Sequence, residues 1–162
     1  EKLLALNQVE DGRQQLTELR QLARDALSQV RQSVSGYKHQ GLSLEVAKLL
    51  SRLRDAGFSA ELSGEIPTLD SRLETAVILA LTELVTNIMR HSKGNNCRLS
   101  FRQQGDQLLI TVSDDGNCSN IEEGNGITGL RERLAAIGAS LTLQWHNGVA
   151  AVIELPLREH TR

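Results

Sequence analysis

Aromatic residues are almost missing from this chain: Tyr37, Phe58, Phe101 and Trp145 are all that 162 residues contain. The core must therefore be assembled from Leu, Val, Ile and Ala. A stacking platform for single-stranded nucleic acid, which needs several rings on one surface, is all but excluded. There is no charge excess either. Lys and Arg number 18 against 20 Asp and Glu, a net charge of −2, so no broad basic field exists to coat duplex DNA or grip an anionic membrane. Long apolar runs are also lacking. The longest in the helical middle is Ala76–Leu81, far short of the roughly 20 residues that cross a bilayer. No charged-then-apolar leader with a small-residue cleavage site is recognisable. Cys97 and Cys118 show neither CxxC nor Cys/His spacing, which reads as reduced thiols of a cytosolic domain, not a disulfide frame or zinc site. The chain starts at Glu1 rather than Met, as expected of a fragment.

What is present divides near residue 40. Leu16, Leu19, Ala23, Ala26, Leu27, Val30 and Val34 step by three and four, predicting an amphipathic helix from about Arg13 to Gly36, with a shorter one over Lys2–Val9 before Gly12. Such a helix wants a partner helix. Ser35–Gly41 reads as a hinge. Beyond it, Ser43–Ala56 is a predicted helix stopped by Gly57, with Leu44, Ala47, Leu50 and Leu53 on its buried side. Phe58–Ser63 alternates as a strand, and Asp70 or Ser71 caps a long helix reaching about His91. Arg98–Gln103 and Gln107–Ser113 flank a turn and form a hairpin. Asp114–Gly126 is too rich in Gly and Asn for regular structure. Ile127–Ile137 is helical and stops at Gly138, and Ser140–Trp145 with Val149–Leu155 makes a second hairpin. The 40% hydrophobic content supports a packed core. The fold class is α/β, a two-layer α+β sandwich: a mixed, mostly antiparallel sheet with helices on one face, preceded by the amphipathic helix.

Three places set polar residues against the packing pattern. On the long helix, Glu83 and Asn87 lie four apart, and Arg90 and His91 continue their stripe. A solvated face, or a buried Glu satisfied by a neighbour, fits this stripe as well as a magnesium site does. In the latter, an amide oxygen and waters hold a cation that bridges phosphates, and Glu83 polarises an attacking group. In Thr111–Asn117, two acids precede Gly116 at a strand exit. An ordinary Asx turn accounts for that, as does an acid accepting from an exocyclic amine with glycine giving a base room. In Gly124–Leu130, glycines open a helix that carries Arg131 and Arg133, the make-up of a phosphate cradle. The bare GxGxxG spacing here is not a dinucleotide fingerprint, because no first strand of a βαβ unit precedes it.

In this order, the E-x-x-x-N-x-x-R-H helix, the D-x-G strand exit and the Gly-rich loop resemble the N box and two glycine boxes of the GHKL (Bergerat) ATP-binding fold. Thr82–Ser92 (TELVTNIMRHS) and Gly126–Arg133 (GITGLRER) are similar to the short-lid sensor histidine kinases of the NarX/DesK (NarL-family) type. The resemblance covers about residues 42–156. It implies a catalytic domain over 41–162, with 1–40 as a remnant of the dimerisation and phosphotransfer helices and their hinge. It also implies ATP and Mg2+ as cofactors. Asn87 would coordinate the metal, Glu83 would act beside the transferred phosphoryl, Arg90 would touch phosphate, and His91 would lie near ribose or phosphates. Asp114 would hold the adenine amine and Gly116 would give the base room. Gly124, Gly126 and Gly129 would shape the phosphate loop, with the amides of Ile127 and Leu130 as donors. The implied activity is transfer of the γ-phosphoryl to a histidine on an upstream helix and onward to a response-regulator aspartate. The implied partners are a NarL/LuxR-type regulator and a second kinase chain. The implied setting is the cytoplasmic part of a bacterial inner-membrane sensor, joined to the membrane only through upstream segments and with no direct contact to nucleic acid.

Three departures stand out. The family pattern D-x-G-x-G has Cys118 at its last position. The Gly-Thr that opens the family's last strand is Gly148-Val149, which leaves Thr111 or Ser113 to supply a hydroxyl near the base. None of His39, His91, His146 and His160 stands in the acceptor context, a histidine followed by an acid on the first module helix. A non-catalytic nucleotide-binding, partner-switching module of the same fold is the alternative reading, and an anti-sigma-type serine kinase is a third. Glu83 speaks against the second, because nucleotide sensing needs no carboxylate beside a γ-phosphate.

Overall fold

A computed structural model describes residues 19–20, 22–23, 41–116, 125–145 and 147–157. The chain divides into two compact units, Glu1–Lys38 and His39–Arg162. In the first, the described residues are helical and exposed, with Leu19 and Leu22 open to solvent. The rest of the helix predicted over 13–36, the shorter one over 2–9 and the hinge up to residue 40 lie outside the described residues.

The second unit is organised around one long helix. Asp70 caps it with Oδ1, which accepts from the amides of Arg72 and Leu73 at 2.9 Å. These are two of the donors that a helix start leaves unpaired. The helix then runs over Ser71–His91, here α2, and buries Val77, Ala80, Leu81, Leu84, Val85 and Ile88. That stripe of threes and ones comes from the apolar run Ala76–Leu81 and its continuation. Val77, Leu81 and Val85 are fully excluded from water, and truncating a leucine at such a site costs about 2–5 kcal/mol. The position of α2 is therefore tightly held.

Before it, α1 spans Gly41–Asp55 and β1 spans Ser59–Ser63. After it come β2, Asn96–Gln104, and β3, Gln107–Asp114, joined by a tight turn at Gly105-Asp106. Helix α3 covers Asn125–Ala135, and β4, Ser140–Trp145, pairs with β5, Val149–Pro156. The five strands lie in the order β1-β2-β3-β5-β4. Only β1 with β2 is parallel, with α2 as the crossover; the other three pairings are antiparallel. On β2 and β3 the residues Cys97, Leu99, Phe101, Leu108, Ile110 and Val112 are buried. They join the apolar stripes of all three helices in one core. The intervening positions carry Arg98, Arg102, Thr111 and Ser113, and Arg98 pairs with Glu61 at 3.0 Å on the exposed side. This is the α/β sandwich expected, with helices on one face.

Two details differ from the sequence reading. On α1 the buried stripe is Leu42, Val46, Leu49, Leu50 and Leu53, whereas Leu44 and Ala47 face solvent. Both sets have helical spacing, and packing on the sheet selects the one that starts at Leu42. Helix α3 starts at Asn125, two residues before the expected Ile127, and its regular part ends at Ala135. The stop at Gly138 is as predicted, with a cap in between. The amide of Ala139 reaches the carbonyl of Leu134 at 2.9 Å and that of Gly138 reaches Ala135 at 3.0 Å, with Gly138 at φ 75°.

Candidate functional site

The C-terminal half of α2 brings the three polar motifs to one place. Glu83 and Asn87 are half-buried on it, and Arg90 and His91 are exposed in its last turn. Among the described residues, neither the Glu83 nor the Asn87 side chain has a hydrogen-bond or ion-pair partner. Facing Glu83 is the first turn of α3: a Cβ added to Gly126 would stand 2.8 Å from Glu83 Oε1. Glycine is what allows the helix start to come so close to the carboxylate.

The other end of the stripe meets the D-D-G strand exit. Ser92 follows α2, closes it through its amide to the carbonyl of Ile88 at 2.9 Å, and donates from Oγ to Asp114 Oδ1 at 2.7 Å. Gly116 donates its amide to the same oxygen, also at 2.7 Å, which is the Asx turn that the motif allowed. A Cβ on Gly116 would collide with Ser92 Oγ and stand 2.7 Å from Asp114 Oδ1. Asp115 points elsewhere. Its Oδ1 accepts the amides of Asn95 and Asn96 at 2.8 Å, and its Oδ2 accepts the Asn96 side chain at 2.6 Å. The Asn96 side chain and backbone donors hold the pKa of this carboxyl below its ordinary value. Asp115 is a structural clasp between the α2–β2 loop and the β3 exit.

Glu83 and Ser92 are nine residues apart on or just beyond α2, so the stripe between α3's start and Asp114 is roughly 14 Å long. Its two ends differ chemically: Glu83 faces the start of α3, and Ser92 meets Asp114 beside the basic last turn of α2. Cys97 lies beside Asp114 on the helix-facing side, where burial first, and then the charges of Asp114 and Asp115, push its thiol up to about 12.

No family profile matches the chain. It is 30% identical over 158 residues to the sensor histidine kinase YvfT of Bacillus subtilis (strain 168). It is 31% identical over 153 residues to the sensor histidine kinase DesK of the same strain. These alignments take in 95% and 91% of the chain. Over more than nine-tenths of its length the chain is homologous to sensor histidine kinases of the DesK/YvfT type. It spans 43% and 41% of the length of those two relatives. Solved structures share the fold. The histidine kinase domain of the Erythrobacter litoralis EL346 blue-light activated kinase superposes with a TM-score of 0.62 at 20% identity, over 77% of this chain and 67% of that one. The Acinetobacter baumannii histidine kinase AdeS superposes with a TM-score of 0.66 at 16% identity, over 90% and 81%.

Several site expectations for this histidine kinase relative change against the geometry. Leu130 is in the second turn of α3, where its amide is taken up by the helix and its side chain is buried. Ile127 keeps a first-turn amide, although its side chain belongs to the core, and Gly129 lies two residues further along the helix. Thr111 and Ser113 sit on the face of β3 opposite Asp114, because side chains alternate and Leu108, Ile110 and Val112 share Asp114's side. Neither can supply a hydroxyl there. Val149 does pair directly with Asp114, so the position that carries Thr in the family pattern is filled by an apolar side chain on the same face. The hydroxyl that meets Asp114 is that of Ser92, which the sequence reading did not single out. Gly124, Asn117 and Cys118 lie outside the described residues.

Proposed function

We propose that this chain is the ATP-binding catalytic part of its sensor histidine kinase, and that it binds Mg-ATP along the α2 stripe. Asp114 and Gly116 would receive the adenine end. Asn87, Arg90 and His91 would take the ribose and phosphates, and the start of α3 at Gly126 and Ile127, with Gly124 and Gly129, would surround the phosphate tail. Glu83 would stand by the phosphoryl being transferred. The single observation that carries this reading is the joining of Glu83 to Gly126 and of Ser92 to Asp114 along one helix, which gives the stripe two chemically different ends.

The donor set fits magnesium as a phosphate-bound ion. Among the described residues no cluster of three or more His, Cys, Asp or Glu exists, so a dedicated protein cage is absent there. Asn87 offers one hard oxygen, and phosphate oxygens and water would supply the remaining ligands. When bound, the ion would neutralise phosphate charge. Glu83 would then orient the incoming imidazole and favour loss of the proton carried by its other ring nitrogen, and the basic side chains and α3 amides would hold the phosphates in line. As the new N–P bond forms, the bond from the γ-phosphorus to the bridging oxygen breaks and ADP leaves.

The acceptor histidine would be supplied by an upstream helix of a dimerisation module to which residues 1–40 belong, in a homodimer of the full-length protein. A response-regulator aspartate, in a NarL/LuxR-type partner, would receive the phosphoryl next. The domain would lie on the cytoplasmic side of a bacterial inner membrane. Among the described residues no helix is long and apolar enough to cross one.

Calorimetric titration with ATP, with and without Mg2+, and with GTP as control tests the reading. Magnesium-dependent, ATP-selective binding in the micromolar range is the expected result. Absence of ATP binding would sink it and leave the non-catalytic module.

A further inference from the structure

Ser92 and Asp114 form a hydrogen-bond chain whose direction is fixed by chemistry alone. A backbone amide can only donate, so Gly94 gives its hydrogen to Ser92 Oγ, at 3.0 Å. A carboxylate can only accept, so the single hydroxyl hydrogen of Ser92 points at Asp114 Oδ1, at 2.7 Å. Gly116 donates to that same oxygen. Among the described residues every hydrogen bond to this carboxylate falls on Oδ1, and Oδ2 is left as the acceptor. Donation from Gly94 also polarises the hydroxyl and strengthens what it gives to Asp114.

We infer that Ser92 is a positioning residue for base recognition: by saturating Asp114 Oδ1 together with Gly116, it sets the carboxylate plane so that Oδ2 is presented to an exocyclic amine. This rests on the reading of Asp114 as the adenine acceptor. It takes the place of the threonine hydroxyl that the last strand lacks at Val149, in a different manner. Ser92 acts on the acid itself, from the end of the helix that carries Glu83 and Asn87. Base selectivity and the phosphate-binding stripe are thereby tied to one element. The close approach has a visible consequence in the sequence, because any side chain at position 116 would run into Ser92 Oγ.

The test compares ATP with inosine triphosphate, which differs at the base only in having a carbonyl oxygen where adenine has its amine and in the adjoining ring N–H. The 162-residue chain and its Ser92→Ala and Ser92→Thr variants are titrated calorimetrically with each nucleotide in the presence of Mg2+. The expected result is an ATP affinity about 10-fold lower in Ser92→Ala, in line with loss of one hydrogen bond to a charged group. Inosine triphosphate affinity stays within about twofold, so selectivity collapses, and Ser92→Thr restores it. Equal loss for both nucleotides, or unchanged ATP affinity in Ser92→Ala, overturns the inference. If Ser92→Ala does not fold, Ser92→Cys serves instead: it keeps the volume with a weaker donor, and selectivity between that of wild type and none is expected, while wild-type selectivity overturns the inference. A wild-type chain that binds both nucleotides alike would show that Asp114 does not read the amine at all. That failure belongs to the underlying reading, and it is seen before any variant is made.

Discussion

Gly126 and Glu83 come together across two helices so closely that a methyl group on the glycine would stand 2.8 Å from Oε1 of the acid. The carboxylate is the far end of a flexible side chain, so it would yield where backbone would not. Gly126 is also a helical position at which alanine is favoured by about 1 kcal/mol. Gly126→Ala is therefore expected to leave the melting temperature unchanged or raise it, while phosphoryl transfer in the full-length kinase falls by roughly 10- to 100-fold from misplacement of Glu83. Parallel thermal melts and autophosphorylation rates check both halves, and a variant with wild-type transfer would remove Glu83 from the reaction.

Asp114→Asn tests the other end of the stripe. The amide can still accept from Ser92 and Gly116 through its oxygen, so the Asx turn should persist, but the charged acceptor is gone. ATP binding should weaken by about 1–3 kcal/mol, measured by calorimetry against GTP as control. Unchanged affinity would mean that Asp114 is only a turn residue.

Asp115 predicts a pH dependence of stability. Its folded pKa is held below the ordinary 3.8 by donors from Asn96 and Asn95. The clasp is at full strength above that value and is lost as pH falls through the lowered folded value. Asp115→Ala should melt at a lower temperature than wild type near neutral pH, and the two curves should converge in acid below about pH 4. Melting curves that stay parallel from neutral pH into acid would count against the clasp.

The outline of the second unit was legible because apolar spacing is set by burial, and burial here has one side. The Asp70 cap, the Ala76–Leu81 run and the two hairpins all follow from local pattern. Leu44 and Ala47 were misread because α1 offers two apolar stripes of equal quality, and only the sheet decides between them. Glu83, Asn87, Asp114 and Gly126 were visible as polar or small residues out of keeping with their surroundings. Ser92 was not, because a serine after a helix is commonplace and its partner lies 22 residues away in the chain.

Cys97 should be inert in the native protein. Its thiol is raised from 9.0 to about 12 by burial and the nearby acids, which lowers the reactive thiolate fraction at neutral pH by about three orders of magnitude. Alkylation followed by peptide mass spectrometry should show Cys97 labelled only on unfolding. Because the folded state keeps its proton, this group's contribution to stability is complete below pH 9 and declines as pH rises from there towards 12.

Trp145, the chain's one tryptophan, pairs with Val149, which pairs with Asp114. It is 46% exposed, two strands from the proposed base position and on the same face. Its emission should shift or quench as ATP is added and should respond little in Asp114→Asn at the same concentration. A spectrum indifferent to saturating ATP in a chain shown by calorimetry to bind it would place the base away from this rung.

Asp114 closes a ladder that begins at the hairpin turn, where Gln104 faces Gln107, and ends where Cys97 faces Asp114. The turn is roughly 24 Å from the acid along β3. A slip of the strand by one place would present Ser113 or Asp115 to the helices instead, but it would also turn Leu108, Ile110 and Val112 out of the core. The register that aims Asp114 is therefore locked by three buried neighbours and not by the length of the turn. Relatives with a longer or shorter turn at Gly105-Asp106 should keep the acid in place, with the change taken up in the loop, for as long as β3 keeps its apolar alternation.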